Sequence, residues 1–127
     1  MMLRHENLVV WQRADDLFIE LHGMVRRLFP AEERFELSSQ LRRAAYSVVA
    51  NIVEGVARRS PRERARFFNI SEGSLSEVRY CLHAAHRLGY LEDSEYDRLC
   101  QRISMVGAPL AGLVRSVRSA DAENARS

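Results

Sequence analysis

All nineteen basic side chains of this 127-residue sequence are arginine; lysine is absent. Five of them fall in one short run, Arg58-Arg59-Ser60-Pro61-Arg62-Glu63-Arg64-Ala65-Arg66. The planar guanidinium fork suits phosphate oxygens. Ser60-Pro61 reads as the start of a helix, whose free amides favour anions. The run therefore offers nucleic-acid backbone binding, with Arg58, Arg59 and Arg62 as contacts and Arg42 as a fourth. The competing reading is a solvated turn in which Glu54 and Glu63 hold Arg64 and Arg66. No aromatic is interleaved with these arginines, which argues against base stacking. Binding of this kind goes to phosphate, with weak sequence preference and a steep dependence on salt.

Other chemistries find no residues to carry them. Without lysine there is no P-loop lysine, Schiff base or Ser-Lys dyad. Gly-x-Ser-x-Gly, His-Glu-x-x-His and glycine-rich phosphate loops are missing too. Bundle di-iron sites need Glu-x-x-His, and no glutamate here has a histidine three residues on. His83 and His86 read as surface histidines. Cys81 and Cys100 lack Cys-x-x-Cys spacing and read as buried thiols. The expectation is a non-enzymatic protein with no metal and no cofactor, unless a site is assembled between subunits. No run approaches the roughly 20 apolar residues that span a bilayer, and no signal-peptide core is present. A cytoplasmic protein without membrane contact is expected.

The elements that position the arginines are legible from punctuation. With 46% apolar and 28% charged residues the composition is that of a globular domain rather than a disordered chain. Helix-period apolar spacing predicts helices at about 9–28, 37–57, 61–88 and 95–117. Pro30 stops the first, and 31–35 forms a short loop. Ser60, Pro61 and Glu63 open the third with a capping box, and Gly89 ends it. Its apolar face is Phe67, Phe68, Ile70, Leu75, Val78, Cys81, Leu82, Ala85 and Leu88. Ser94 with Asp97 opens the fourth, Pro109 interrupts and kinks it, and residues 119–127 form a flexible tail. No period-2 pattern occurs, so the fold is all-α, an antiparallel up-down-up-down four-helix bundle over residues 1–118. Positive charge is concentrated in residues 34–66, with eight arginines against three acids.

The second helix is apolar on two faces. Leu41, Ala44, Ala45, Val48, Ile52 and Val56 form one; Tyr46, Val49, Ala50, Val53 and Ala57 form another. A monomeric bundle needs only the first. The surplus face, centred on Tyr46, Val49 and Val53, is read as an oligomer interface. The alternative cover is the N-terminal arm Met1–Leu8 or the tail. An antiparallel hairpin turning near Ser60 sets Arg43 opposite Ser74 and Glu77. A partly buried Arg43–Glu77 pair is expected there, with a solvated salt bridge as the alternative. Ser71 and Ser74, inside the apolar face of the third helix, need hydrogen-bond partners.

Six segments in order carry a family resemblance: Leu8-Val9-Val10-Trp11-Gln12, Phe29-Pro30 with Glu33, Gln40-Leu41-Arg42-Arg43-Ala44-Ala45, Ala50-Asn51-Ile52-Val53-Glu54-Gly55, Gly73-Ser74-Leu75-Ser76-Glu77 and Leu88-Gly89-Tyr90-Leu91. The sequence resembles, over about residues 8–115, the 23S rRNA-intervening sequence proteins. The resemblance implies an antiparallel four-helix bundle and assembly as a homo-oligomeric ring of five. A related branch, the accessory proteins of diversity-generating retroelements, binds nucleic acid and a protein partner, a reverse transcriptase. Gln40, Arg43, Asn51, Glu54, Ser74 and Glu77 match the family's polar positions. Pro109 departs from the family's unbroken last helix, and the net charge of +2 is modest beside the retroelement proteins. Two functions follow as expectations: binding of RNA or DNA by the turn arginines, or a scaffold that docks a protein and binds no nucleic acid.

Overall fold

Proline, serine and glycine set the helix ends in the computed structural model. It describes residues 4–126, with the side chains of all of these except Arg4, Arg34 and Phe35; Met1–Leu3 of the arm and Ser127 lie outside the described residues. A 3₁₀ turn, Arg4–Asn7, leads into α1 (Val9–Leu28), followed by a second 3₁₀ turn (Ala31–Phe35), α2 (Leu37–Ala57), α3 (Pro61–Arg87) and α4 (Asp93–Arg126). Each helix packs against its neighbour in the chain and α4 closes back on α1. The result is an all-α up-down-up-down four-helix bundle, with no strand among the described residues.

Phe29, before Pro30, takes the extended geometry that ends α1. The Ser60 hydroxyl caps α3 by accepting from the Glu63 amide at 3.1 Å. At the other end Gly89 has φ +83°. Its amide donates to the His86 carbonyl at 3.0 Å and that of Tyr90 to Ala85 at 2.9 Å. Those two bonds make a Schellman motif, which needs the left-handed residue that glycine supplies at little cost.

Four expectations change. Residues 31–35 are a 3₁₀ turn rather than an irregular loop, because Glu33 organises them. Its carbonyl accepts from the Ser38 hydroxyl, and its carboxylate accepts from the Leu37 amide and the Tyr90 hydroxyl. Glu33 thereby caps α2 and ties the α1–α2 connection to the α3–α4 connection, and that bond pushes the Tyr90 phenol up to about 12. Helix α4 starts earlier than Ser94: the Glu92 carbonyl already accepts from the Tyr96 amide at 2.9 Å, and Asp93 and Glu95 occupy the favourable first turn. Its end lies at Arg126, so residues 119–126 are helix and not a tail. That stretch has three alanines and neither glycine nor proline. Finally, α4 runs uninterrupted through Pro109. The Met105 carbonyl that loses its intrahelical donor instead accepts from the Arg13 guanidinium at 2.9 Å.

The core gathers on α2, whose Leu41, Ala44, Ala45, Val48 and Ile52 are buried. The seam between α2 and α3 is lined by small residues. At Gly55 an added Cβ would overlap the ring of the buried Phe68. The Ser71 hydroxyl donates to the Val48 carbonyl at 2.8 Å, and the Ser47 and Ser74 hydroxyls bond at 2.7 Å. Asn51 adds its amide to the Ser47 carbonyl at 2.9 Å. The expected Arg43–Glu77 pair does not form: both are exposed, and neither an ion pair nor a hydrogen bond joins them. Hydroxyls already satisfy the buried polar positions of this close seam, and desolvating two long charged side chains beside it would bring a penalty without need. Of the predicted α3 face, Ile70 and Leu88 point outward, 42% and 58% exposed.

Opposite that seam, α1 and α4 are joined by charge. Glu20 accepts from Arg98 and, at 2.7 Å, from Arg102, while Glu95 also binds Arg98 at 2.9 Å. Burial by itself would raise the Glu20 carboxyl. The hydrogen bonds from Arg98 and Arg102 outweigh it and hold the group below its ordinary value. A depressed carboxylate contributes stability that is fully present above its unfolded value and is lost as pH falls through its folded value. Glu20→Gln is therefore expected to lower unfolding free energy by ~1 kcal/mol at pH 7, the upper end for partly exposed ion pairs. Urea titrations of the two proteins at successively lower pH should converge once the carboxylate is protonated; a gap that is constant with pH contradicts the assignment.

Candidate nucleic-acid interface

Helix α2 ends at Ala57 and α3 begins at Pro61, so Arg58, Arg59 and Ser60 form the whole connection. Arg58 is half-buried and paired with Glu54, one turn back on α2. Its guanidinium also lies 5.0 Å from the centroid of the Phe67 ring, with Arg66 5.4 Å away from the same ring. The Arg58 carbonyl accepts from Nε of Arg64 at 2.7 Å. Arg58 and Arg64 are thus structural members of the turn. Arg59 and Arg62, in contrast, are exposed and engage no carboxylate among the described residues. They flank the N-terminus of α3, where the amides are partly positive.

These positions revise the sequence reading in particular ways. Arg58, expected as a phosphate contact, is committed to Glu54 and Phe67. The alternative grouping, Glu54 and Glu63 on Arg64 and Arg66, is not what forms either: Glu54 takes Arg58, and Arg64 takes a backbone carbonyl. An aromatic does stand among the arginines, since the Phe67 ring lies near the guanidiniums of both Arg58 and Arg66. Arg42 is not part of this cluster. It lies 16 residues before Arg58 on α2, roughly 24 Å along the axis at 1.5 Å per residue, at the opposite end of the bundle. Arg118, on the distant α4, comes instead to the side of α3 near this end, donating to the Asn69 side chain at 3.0 Å. Nothing in local spacing could have announced it, because it depends on how far α4 continues.

The surplus face of α2 divides. Tyr46 is 63% exposed, Val49 and Val53 are half-buried, and on α1 Ile19 is also 63% exposed. The Phe18 and Tyr46 rings meet edge-on at 6.2 Å. The described part of the arm covers a different region: its 3₁₀ turn packs on α1 and α2, and Leu8 and Val56 line one shallow cleft. Tyr46 therefore remains open to solvent. His83 is exposed, as expected, whereas His86 stacks on Tyr96 at 4.6 Å and bonds Asp93 at 2.6 Å. Cys81 is buried and Cys100 half-buried, both as free thiols. Burial, with the Glu77 charge, pushes the Cys81 thiol up. Among the described residues no group of three potential ligands could hold a metal ion, and no helix is long and apolar enough to cross a membrane.

Comparison with known proteins agrees with the architecture. A family model described as 23S rRNA-intervening sequence protein matches residues 6–112. The chain is similar to the crystal structure of a protein of unknown function from the S23 ribosomal protein family of Bacteroides thetaiotaomicron. The two share 21% identity and a TM-score of 0.77, over 84% of this chain and 98% of the other. At that identity the likeness concerns the fold. No curated protein matches the chain.

The two classes of turn arginine make different predictions. Arg58→Ala is expected to cost ~1 kcal/mol, combining a surface ion pair with a cation–π contact. Arg59→Ala should stay within ~0.5 kcal/mol of the parent, as for substitutions away from packed features. Chemical denaturation of both variants checks this, and equal losses would show that Arg59 is also structural.

Proposed function

The chain belongs to the 23S rRNA-intervening sequence protein family, and from its turn geometry we propose that it is a non-enzymatic homo-oligomer that binds nucleic acid through phosphate. The observation that carries this reading is the pair Arg59 and Arg62, exposed and free of any carboxylate beside the N-terminus of α3. RNA is the favoured ligand class, with duplex DNA as the second. Arg58 supports the site from behind by fixing the turn on Glu54 and Phe67. Arg66, near Phe67, and Arg118, bonded to Asn69 of α3, add further positive charge to this end. Phe67 has guanidiniums of Arg58 and Arg66 near its ring, which argues for phosphate contact over base stacking.

Oligomerisation is the second half of the proposal. Tyr46, which meets Phe18 of α1, leaves a large apolar side chain of α2 open to solvent, with Val49 and Val53 half-buried along the same face. A closed ring, five-membered by the family resemblance, repeats the Arg59–Arg62 pair around its rim. Weak individual contacts then add through effective concentration. The other reading, a scaffold that docks a protein partner in the cytoplasm, is favoured by the same apolar exposure if the arginines prove inert.

The test is binding of a structured RNA and a duplex DNA across a salt series. For the duplex, affinity should fall by roughly 0.9 log units per decade of salt for each phosphate contacted. Arg59→Ala with Arg62→Ala should weaken binding and flatten that slope while leaving the oligomer intact. Absence of binding at low salt by the intact oligomer contradicts the proposal and favours the scaffold.

A further inference from the structure

At the other end of α2 lies a cleft of about 440 Å³, between the last turns of α1 and the first turns of α2. His22, Arg26, Ser38 and Arg42 line it together with apolar Val25 and Phe29, and none of its lining residues is acidic. The three nearby glutamates of the connection do not neutralise it. Glu33 is engaged by the Leu37 amide and the Tyr90 hydroxyl, and Glu32 and Glu36 are exposed, do not line the cleft and pair with neither of its arginines. Arg26 carries no ion pair. Arg42 is half-buried, and its Nε–H is shielded from solvent with no hydrogen-bond partner.

The groups around the cleft supply cations and no anion, and a phosphate group matches them in charge and in hydrogen-bond acceptors. We infer that this cleft is a binding site for a phosphate group, free or as a small phosphate monoester, held between Arg42 and Arg26 with His22 at the rim. Arg42 and Arg26 both line the cleft, so their guanidinium N–H groups can donate to different oxygens of one phosphate. The site is independent of the turn arginines, since the length of α2 separates them.

The experiment uses the full chain and inorganic phosphate alone, followed by glycerol 3-phosphate, read by ¹⁵N correlation spectra of the arginine Nε–H groups. The Arg42 signal should shift on titration with phosphate, and Arg26→Ala should weaken the apparent affinity roughly tenfold, about one charge-assisted contact. Arg26 is exposed, so that variant tests the site without threatening the fold. The double variant Arg59→Ala with Arg62→Ala should bind phosphate as the parent does. Tighter binding of the ester identifies a monoester as the source of the phosphate, and equal binding identifies the free ion; both support the site. An unmoved Arg42 signal, or a response that Arg26→Ala leaves intact while the turn variant removes it, overturns the inference.

Discussion

The close approach of α2 and α3 is the constraint on which the rest of the molecule depends. Gly55 admits the Phe68 ring where any side chain would collide, and Ser47, Ser71 and Ser74 satisfy one another and the Val48 carbonyl inside the seam. Hydroxyls are short enough to be buried between two backbones without separating them. Once that seam is fixed, the rotation of α2 about its own axis is fixed as well. One apolar face enters the core, and the second, with Tyr46, is turned outward. The same seam sets how the chain crosses from Ala57 to Pro61, and so which turn arginines can reach back to Glu54 and Phe67.

The two ends of the bundle are built differently. At the α1–α2 and α3–α4 end, Glu33 acts as a hub: it caps α2, holds Ser38 and receives the Tyr90 hydroxyl. Among the described residues, the cations of that end, Arg26 and Arg42, form no ion pair. At the α2–α3 end, Glu54 holds Arg58 alone, and Arg59 and Arg62 remain open. A net charge of only +2 is therefore compatible with two local regions of positive surface, because other acids are spent elsewhere: Glu20 joins α1 to α4, Glu95 holds Arg98 within α4, and Asp93 holds His86.

Much of this architecture was legible in the residues. Periodicity and helix-stop signals placed both ends of α1 and α2, and the Ser60-Pro61 and Gly89 signals placed α3 to within a residue. The ends of α4 were harder. Its first turn is fixed by the Glu92 carbonyl rather than by a serine cap, and its last turns contain ordinary helix formers with no stop signal. Pro109 looks disruptive because its local consequence, an orphaned Met105 carbonyl, is visible in sequence while its remedy, Arg13, lies 92 residues before Met105. The arginine run was visible as a cluster, but its division into structural and open members was not. That division depends on rotamers around Phe67 and on Arg64 reaching the Arg58 carbonyl. The Arg43–Glu77 expectation had a plausible register and failed on chemistry, since serines could fill the seam at less desolvation.

In the proposed assembly the outward face of α2, which the described residues of the single chain leave open at Tyr46, is buried by a second copy, and the turn arginines are multiplied. Sedimentation velocity of the full chain beside its Tyr46→Glu variant tests this most directly. The account predicts an oligomer for the parent and a folded, helical monomer for the variant. A parent that sediments as a monomer across the micromolar range would contradict it, and the Tyr46 face would then have to be explained by a different protein.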